Sequence, residues 1–533
     1  MCDIEDIADE ARGPLRPVNS EFRVKVRSKK RTDADGDADS GPKTDSFLPW
    51  SKTVYLKTWG CSHNSSDSEY MGGLLAASGF KLSTDKAASD IWLLNSCTVK
   101  TPSETQLENS VREARAAGKA VIVAGCVSQA APSEAYLKDV SIVGVKQIDQ
   151  IVNVVEETLR GNTVRLLSLK ARDPAATLIS LPKVRRNERI EILAINSGCL
   201  NHCTYCKTKM ARGNLQSYPL DALVAQARQA FEQDGCKELW LTSEDLGAWG
   251  RDIGMVLPDL LNALVEVIPD GCMMRLGMTN PPYILDHLEE IATILNHPRV
   301  YAFLHIPVQA GSNAVLDDMK REYKNEHFCR IVDYMKEHVP GIYIATDFIC
   351  AFPTETAEDF EESLDLVRKY EFPSLFINQY YPRPGTPAAR LKKINTIEAR
   401  RRTAAMTTLF HGYRRYTDAR IGEVHDVLIN EKATDGVHYV GHNKTYEHLL
   451  VPAPVSGESL LGKRVKVRIT ETAKFYMKTV IVSEAALVAP MDSEKTTIVG
   501  RLGGSDFRRA TAVSMALLLA YFALKSLFYA ILY

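Results

Sequence analysis

Short apolar runs alternate with helical segments through most of this chain, and this alternation limits the fold more than any other feature. Between residues 52 and 165 the strand-like runs are TVYLKTWG, DIWLLNS, AVIVAG and VSIVGV, and helical stretches ending at glycines separate them. A second series begins at IEILAINS (190–197) and supplies six strand candidates within 185–415. Alternating strands and helices build parallel sheets. The pattern therefore predicts an α/β protein with a small parallel sheet over 52–165 and a partial or complete βα-barrel over 185–415.

The region from residue 418 has a different pattern. Five short runs rich in Val, Ile, Leu and Tyr follow one another up to residue 487, without a helical stretch between them. Closely spaced short strands are typical of small β-barrels. We therefore expect a third module over 418–487.

The two ends of the chain differ from this globular part. Residues 1–51 are mainly charged or small and lack the apolar core of a signal peptide, so we predict a disordered tail. Residues 510–533 carry one charge, Lys525, and follow a pair of arginines. As a helix they would span ~36 Å, enough to cross a membrane. They predict a C-terminal transmembrane helix that anchors the chain by its tail, joined by a linker over 488–509; a helix buried against protein is the alternative.

Composition excludes two broad classes of protein. The formal net charge of −1 gives no chain-wide signal for nucleic acid, so any RNA-binding surface must be local. The eleven cysteines are an odd number in a long chain without a secretory signal, which argues against a disulfide framework. Metal ligands or reactive thiols are the remaining explanation.

Three cysteines stand close together directly after the first strand of the second βα series. Cys199, Cys203 and Cys206, here called the barrel cysteine set, lie in GCLNHCTYCKTK. Thiolates bind zinc, Cu(I) or iron–sulfur clusters. A structural zinc site normally has four ligands, and a [4Fe–4S] cluster usually has four cysteines. A cluster held by three cysteines leaves one iron open to a substrate or cofactor. A zinc site completed by His202 is the alternative.

A second set of cysteines follows the strands of the first βα series. Cys61, Cys97 and Cys126, here called the N-terminal cysteine set, each come directly after a predicted strand, 36 and 29 residues apart. Because parallel strands end at the same edge of a sheet, we expect the three thiols to meet there. This predicts a second three-thiolate cluster. The other cysteines have no such spacing: Cys2, Cys236, Cys272, Cys329 and Cys350. The last four lie in predicted barrel elements and are predicted to be structural.

The cysteine motifs resemble those of a known family. The C-x3-C-x2-C spacing after a barrel strand, with Tyr205 before the last cysteine, is similar to the signature of the radical S-adenosylmethionine (SAM) superfamily. With the N-terminal set and the motifs WGCSHN, NSCTVKT, AGCVSQ and QYYPRPGTPAAR, the chain resembles the radical SAM methylthiotransferases over about 52–487. The resemblance implies a flavodoxin-like N-terminal sheet, a radical-SAM βα-barrel and a TRAM-like RNA-binding barrel.

The same resemblance implies the cofactors and the reaction. Two [4Fe–4S] clusters are expected, one on each cysteine set, with SAM at the open iron of the barrel set. One SAM would methylate a sulfur on the first cluster, and a second would give the radical that removes hydrogen from position 2 of an adenine. Within the family the motifs are most similar to the eukaryotic branch, which acts on N6-threonylcarbamoyladenosine beside the tRNA anticodon. That branch implies lysine tRNA as substrate, an electron donor, and tail anchoring in the endoplasmic reticulum membrane with the catalytic domains facing the cytosol.

Polar residues on or after later barrel strands are candidates for contacts to SAM. Glu244 and Asp245 suit the methionine ammonium, and Arg275 suits the carboxylate. For each of these, bonding to other groups inside the barrel is the alternative. The further cofactor-binding candidates are Tyr205, Asn280, Gln309 and Asp347.

The chain departs from the family pattern at three positions. The family commonly has G-F-P-G-E-T and V-Q-S-G-S, whereas this chain has Ala351 and Thr354 in the first motif and Ala310 in the second. We expect small backbone adjustments at these positions and no loss of SAM binding.

RNA binding is predicted from local basic segments. Residues 462–478 hold six Lys or Arg against one acid, interleaved with Phe475 and Tyr476. Basic groups bind phosphate, and exposed aromatic rings stack on bases. Beside the barrel set, Lys207, Lys209 and Arg212 are further candidates for contact with the anticodon loop.

Three rival functions follow from the same residues. Within the family, the substrate could instead be isopentenyladenosine in tRNA or an aspartate of a ribosomal protein. Outside it, the chain could be a non-catalytic iron–sulfur scaffold that binds RNA at a membrane. Analysis of tRNA nucleosides separates the first two from our prediction, and formation of 5′-deoxyadenosine separates the third.

Overall fold

The computed structural model describes residues 24–25, 49–98, 101–168, 181–454 and 457–482. Most of the predicted tail, the linker over 488–509 and the predicted transmembrane segment 510–533 lie outside these residues. Among the residues that are described, no helix combines the length and the apolar character needed to cross a membrane.

Seven strands form the N-terminal sheet, in the order β1-β7-β6-β5-β4-β2-β3. All neighbours are parallel except β1, which pairs antiparallel with β7. The two faces of the sheet are both covered, because Leu93 and Leu94 of the central strand β4 lie in two different apolar cores. This explains the continuous apolar run of β4. The strands are β1 (Val24–Lys25), β2 (Thr53–Thr58), β3 (Lys81–Ser83), β4 (Ile91–Ser96), β5 (Ala120–Gly125), β6 (Ser141–Val143) and β7 (Thr163–Leu166).

Helices connect these strands as the alternating pattern predicts. The prediction of disorder over 1–51 was wrong at two short places: β1 pairs with the edge strand β7, whose backbone groups need partners, and residues Pro49–Ser51 form a turn of 3-10 helix. The helices of this region are α1 (Ser62–Ala77), α2 (Thr101–Ala116), α3 (Cys126–Ala130) and α4 (Ile151–Leu159).

Six parallel strands form the central barrel, as predicted. They lie in two three-stranded sheets, β8-β11-β12 and β13-β14-β15, which isolated bridges join at Met274–Val300 and Met278–His305. Among the described strands no pairing joins β8 to β15, so the barrel is partial. The strands, with the β9–β10 pair, are β8 (Ile190–Ala194), β9 (Asn196–Ser197), β10 (Gln216–Ser217), β11 (Glu238–Thr242), β12 (Met273–Arg275), β13 (Phe303–His305), β14 (Tyr343–Cys350) and β15 (Ser374–Gln379).

The barrel helices pack their apolar faces on these strands and form the largest core of the protein. The N-terminal sheet packs against the barrel through α1, where the Ser66 hydroxyl donates to the Ile192 carbonyl of β8 at 3.1 Å. The helices are α5 (Thr208–Arg212), α6 (Leu220–Glu232), α7 (Leu257–Val267), α8 (Leu288–Asn296), α9 (Asn313–Asp318), α10 (Asn325–His338), α11 (Ala357–Tyr370) and α12 (Thr396–Gly412).

Five strands close a small barrel at the end of the described chain, in the order β16-β17-β18-β20-β19. It packs against the N-terminal ends of the central strands, where Tyr446 lies with Met273 and Phe303 in one apolar cluster. The Lys444 ammonium donates to carbonyls at the end of α8, including Leu295 at 2.6 Å, which caps that helix. The strands are β16 (Val424–Lys432), β17 (His438–His442), β18 (His448–Pro452), β19 (Arg464–Thr472) and β20 (Met477–Ile481).

Candidate functional site

The N-terminal cysteine set meets at one edge of its sheet, as the sequence predicted. Ser96 of β4 pairs with Gly125 of β5, so the residues that follow, Cys97 and Cys126, emerge side by side. Cys61 follows β2 and is the N-cap residue of α1. Hydrogen bonds to Cys126 and Cys61 raise the pKa of Cys97, so the Cys97 thiol contacts each of the other two thiols.

Two glycines make this approach possible. Gly60 has φ +114°, and a Cβ there would lie 2.2 Å from the Cys97 Cβ. Gly125 has φ +90°, and its Cβ would lie 2.1 Å from the Asn95 Oδ1. Any side chain at either position would push the strand ends apart. The closeness of the three thiols therefore depends on both glycines.

The barrel cysteine set lies on the loop between β9 and α5. The Thr208 backbone N–H donates to the Cys206 Sγ at 3.4 Å, and the Arg321 Nη1 donates to the Cys203 Sγ at 3.1 Å. Burial raises the pKa of Cys199 and of Cys203, and the charge of Arg321 partly offsets this rise at Cys203. Deprotonation of the thiols in this loop therefore requires a positive charge beside the sulfurs, and the iron of a cluster would supply it.

The donors of both sets fit a cluster better than a single ion. Within the described residues no group of three His, Cys, Asp or Glu side chains is arranged to hold one metal ion. All-sulfur donors favour iron–sulfur chemistry. His202, the alternative zinc ligand, lies 2.8 Å from the Lys209 Nζ instead.

One buried arginine joins the two cysteine sets. Arg212, at the end of α5, donates through Nη2 to Asp67 at 2.6 Å and to the Asn64 Oδ1 at 2.9 Å, and through Nε to Glu244 at 2.9 Å. The Asn64 Oδ1 in turn accepts from the Cys126 Sγ at 3.5 Å. The chain of bonds thus runs from the barrel loop to the N-terminal set.

Glu244 completes this junction from the barrel side. One of its oxygens lies 2.8 Å from the His63 Nδ1, and the other accepts from the Gly198 N–H, next to Cys199, at 2.9 Å. Burial alone would raise the pKa of Glu244, but the charges of His63 and Arg212 lower it. In this structure its carboxylate bonds groups of the junction, and its contact with the SAM ammonium stays a prediction.

The basic residues beside the barrel set are less accessible than we predicted. Arg212 is 2 % exposed and Lys207 is 3 % exposed. Lys209 donates to the Leu200 carbonyl at 2.9 Å. Contact with the anticodon loop is thus wrong for Arg212 and Lys207, because both are buried by neighbouring elements.

Asp245 and Asn280 lie together next to the barrel set. Asp245 is buried and accepts from the Asn280 N–H at 3.0 Å and from its Nδ2 at 2.8 Å. Burial raises the pKa of Asp245 to about 6. The Asn280 Oδ1 accepts from Arg321, which also reaches the Tyr205 hydroxyl at 3.5 Å. Arg321 therefore links the predicted residues Tyr205, Asp245 and Asn280 to Cys203.

Sequence analysis missed Arg321. It stands in the motif LDDMKREY, where neither spacing nor composition separates it from the neighbouring exposed Lys320. Its position becomes visible only when the chain is folded, since Cys203 and Arg321 are 118 residues apart.

Gln309 and Asp347 lie on neighbouring strand ends of the barrel. The Gln309 N–H donates to the Asp347 carbonyl at 2.8 Å, and Gln309 has φ +72°. The Asp347 carboxylate is 2.5 Å from the His305 Nε2. The two are neighbours at this strand end, and their contacts with SAM stay predictions.

Arg275 lies elsewhere, which corrects its predicted role at the SAM carboxylate. Its guanidinium is 4.8 Å from the Trp240 ring, 5.0 Å from the Phe303 ring and 5.1 Å from the Tyr446 ring. Tyr446 belongs to the C-terminal barrel. Arg275 is therefore part of the joint between the two barrels, held by cation–π contacts.

The three departures from the family pattern have different settings. Ala351 has φ +62°, a conformation that favours glycine, and its N–H donates to Glu355 at 2.8 Å. Ala310 is buried, whereas Thr354 is exposed. Only Ala351 thus carries backbone strain.

The cysteines predicted to be structural are buried or partly buried where the structure describes them. Cys236, Cys272 and Cys350 are buried, and Cys329 is partly buried. Cys2 lies outside the described residues.

Most charges of the basic run over 462–478 have partners within the protein. Lys463 bonds Glu458, Lys478 bonds Glu471 at 2.8 Å, and Arg464 donates to the Gly271 carbonyl at 3.1 Å. Lys474 donates to carbonyls at the end of α12. The run is thus less available to RNA than its composition indicated.

Family models match along the chain in three places. Residues 53–144 match a family described as uncharacterized protein family UPF0004, residues 193–367 match the radical SAM superfamily, and residues 418–482 match the TRAM domain. Together with the cysteine loop on a parallel barrel, these matches define the class: a radical SAM protein with a TRAM domain.

Curated relatives define the family more narrowly. The chain is 52% identical over 516 residues to the threonylcarbamoyladenosine tRNA methylthiotransferase of Homo sapiens, covering 95% of this chain and 88% of that one. It is 54% identical over 489 residues to that of Drosophila pseudoobscura pseudoobscura (89% and 87%), and 70% identical over 355 residues to that of Caenorhabditis elegans (67% and 82%). The chain belongs to the family of threonylcarbamoyladenosine tRNA methylthiotransferases.

Proposed function

We propose that this protein adds a methylthio group to position 2 of N6-threonylcarbamoyladenosine beside the tRNA anticodon. The observation that carries the proposal is the pair of cysteine sets that Arg212 and Glu244 join across one domain junction. Sulfur insertion requires a sulfur source and a radical generator at one substrate, and this junction brings the two sets together. Family membership supports the choice of nucleoside.

The barrel set would hold a [4Fe–4S] cluster, which when bound would supply one electron for the reductive cleavage of SAM. Arg321 places a positive charge 3.1 Å from the Cys203 Sγ and favours the thiolate that the cluster requires. Asp245 orients Asn280, and Asn280 holds Arg321 in turn. The Tyr205 ring packs edge-on 6.5 Å from the Phe352 ring, which fixes its position beside Cys206.

The N-terminal set holds a second [4Fe–4S] cluster in this proposal. Three thiols in contact, with both glycines allowing the approach, support it. Replacing all three cysteines by alanine should halve the iron and sulfide of an anaerobically reconstituted preparation while leaving 5′-deoxyadenosine formation possible. Unchanged iron content would contradict the assignment.

The proposed function is tested by nucleoside analysis. In a deletion strain, tRNA should lose the 2-methylthio form of threonylcarbamoyladenosine and accumulate the unmethylthiolated form. The wild-type gene should restore it, and a Cys199→Ala variant should not. A deletion strain with unchanged methylthiolation, or with loss at isopentenyladenosine instead, would refute the proposal.

The substrate tRNA and the reductant follow from the family. We propose lysine tRNA as the substrate and a one-electron donor protein as the reductant. Methylthiolation of purified lysine tRNA, compared with a tRNA that lacks threonylcarbamoyladenosine, tests the first. Replacement of dithionite by cell fractions tests the second.

We further propose that residues 510–533 anchor the protein in the endoplasmic reticulum membrane, with the catalytic domains in the cytosol. The support is the sequence of this segment, with one charge in 24 residues. A version truncated after Asp506 should move to the soluble fraction of the cell. Membrane association that persists after truncation would refute the anchor.

A further inference from the structure

A basic segment follows the last strand of the central barrel. Residues 381–400, here called the basic rim, include four exposed cationic side chains: Arg390, Lys392, Lys393 and Arg400. The one acid in the segment is Glu398, which bonds Arg401 and Arg402. In the described part of the chain none of the four cations forms an ion pair. The rim therefore presents unneutralised positive charge to solvent.

Two hydrogen bonds fix the rim to both cysteine sets. The Ala388 N–H donates to the carbonyl of Thr204, which lies between Cys203 and Cys206, at 2.9 Å. The Arg383 Nη1 donates to the carbonyl of Thr98, next to Cys97, at 2.8 Å. The same segment thus contacts the loop of each set, at the C-terminal ends of the strands.

Two adjacent tyrosines lie where the rim begins. Tyr380, the residue before the rim, is packed inside the protein, and Tyr381 is exposed. The Tyr380 ring packs 5.4 Å from the Phe352 ring, whose other neighbour is Tyr205 of the cysteine loop. The next residue, Tyr381, is 51 % exposed. An exposed ring beside cations gives an unstacked base a surface to stack on.

The C-terminal barrel is less well placed for the same task. Four of the six cations in its basic run have partners within the protein. Its Tyr446 packs against Phe303, the first residue of β13, at the N-terminal ends of the strands. The cysteine sets lie at the opposite, C-terminal ends. A nucleotide held between the sets needs phosphate contacts on the cysteine side.

We propose that the basic rim binds the backbone of the tRNA anticodon arm and holds the target base at the junction of the two cysteine sets. The proposal rests on the proposed function, since it specifies how that substrate is held. Arg390, Lys392 and Lys393 contact phosphates, and Tyr381 stacks on a base of the loop. Affinity then comes mainly from charge and falls with salt.

Binding of a radiolabelled anticodon stem-loop to the reconstituted full chain tests the proposal. The triple variant Arg390→Gln, Lys392→Gln, Lys393→Gln should bind at least about tenfold more weakly at 0.15 M salt, with a slope of log K against log salt shallower by about 2. The matched control is Arg228→Gln, Arg330→Gln, Arg368→Gln, which removes three exposed charges from α6, α10 and α11. The control should bind as the wild type does.

Equal affinity and equal salt dependence in wild type and rim variant would overturn the proposal, as would equal losses in rim variant and control. A wild type that binds the stem-loop but forms no methylthio product would refute the proposed function and leave the rim assignment standing.

A second measurement uses the unaltered chain and does not depend on the folding of a variant. An amine-reactive label read by mass spectrometry should modify Lys392 and Lys393 in the free protein and be blocked there by the stem-loop. Lys369 on α11, 55 % exposed, should be labelled equally with and without RNA. Labelling of Lys392 and Lys393 that RNA leaves unchanged would overturn the rim.

Discussion

Arg212 donates from Nε to the carboxylate of Glu244 at 2.9 Å, with both side chains almost fully buried. The same guanidinium bonds Asp67 on α1, so a single cation serves carboxylates of two domains. The junction between the cysteine sets is thus electrostatic as well as apolar, and its strength can be measured.

Removal of this cation should destabilise the protein strongly. Arg212→Ala leaves Asp67 and Glu244 buried without their partner, and we expect a loss of about 3 to 5 kcal/mol. Urea unfolding of the anaerobic protein measures it. Arg228→Ala, with a 55 % exposed side chain, is the control and should change stability by less than about 0.5 kcal/mol. Similar midpoints for the two variants would show that the buried network contributes little.

Loss of the arginine beside Cys203 should affect SAM chemistry more than folding. Arg321→Gln removes a donor at 3.1 Å from the sulfur and frees Asn280. We expect 5′-deoxyadenosine formation to fall about 10- to 100-fold, as for other residues that orient metal ligands. Arg330→Gln serves as the exposed control. Thermal melting of both variants should match the wild type, and a rate for Arg321→Gln within twofold of wild type would refute the role.

The buried carboxyl of Glu69 should make stability depend on pH. Burial raises its pKa from 4.5 to about 7, despite the Lys183 ammonium 3.6 Å away. The folded protein thus holds this proton more tightly than the unfolded chain does. The stabilisation is complete below pH 4.5 and is lost as the pH rises through 7.

A comparison with Glu69→Gln isolates this effect. The variant should become more stable relative to the wild type by roughly 2 kcal/mol between pH 5 and pH 8. Glu232→Gln, at an exposed carboxylate, should show no such trend. Urea midpoints at the two pH values provide the measurement, and a constant difference between Glu69→Gln and wild type would show that Glu69 ionises normally.

Glycine should be tolerated differently at the two alanines that depart from the family motifs. Ala351 has φ +62°, so Ala351→Gly relieves backbone strain. This relief offsets the loss of a buried methyl group and the added entropy of the unfolded chain, and stability should fall by no more than about 0.5 kcal/mol. Ala310 is buried without a positive φ, and Ala310→Gly should cost about 1.5 kcal/mol. Equal costs at both positions would mean that Ala351 is unstrained.

Patterns with a local period were predictable from the sequence. The six strands of the central barrel and the five of the C-terminal barrel were predicted from the pattern of apolar runs. The meeting of Cys61, Cys97 and Cys126 was predicted because each cysteine directly follows a strand of one parallel sheet. These features depend on single βα units or on units that follow each other directly, so residue spacing in the sequence predicts them.

Partners from distant segments were not predictable. Glu244 bonds Arg212 of its own barrel and His63 of the N-terminal domain. Arg275 is enclosed by rings that include Tyr446, 171 positions further along the chain. β12 ends at Arg275, so this residue lies within the strand and not on the loop after it. Polar residues near strand ends can thus serve a domain joint as readily as a ligand, and only the folded chain distinguishes the two.

The short helix α5 has a consequence for how the protein matures. It begins two residues after Cys206 and ends at Arg212, so the segment that bears one cysteine set also carries the contact to the other. If a cofactor bound at one set orders this segment, it strengthens cofactor binding at the other set. Thermodynamic linkage makes the effect equal in both directions. Iron bound at one set should therefore be retained more tightly when the other set is also loaded.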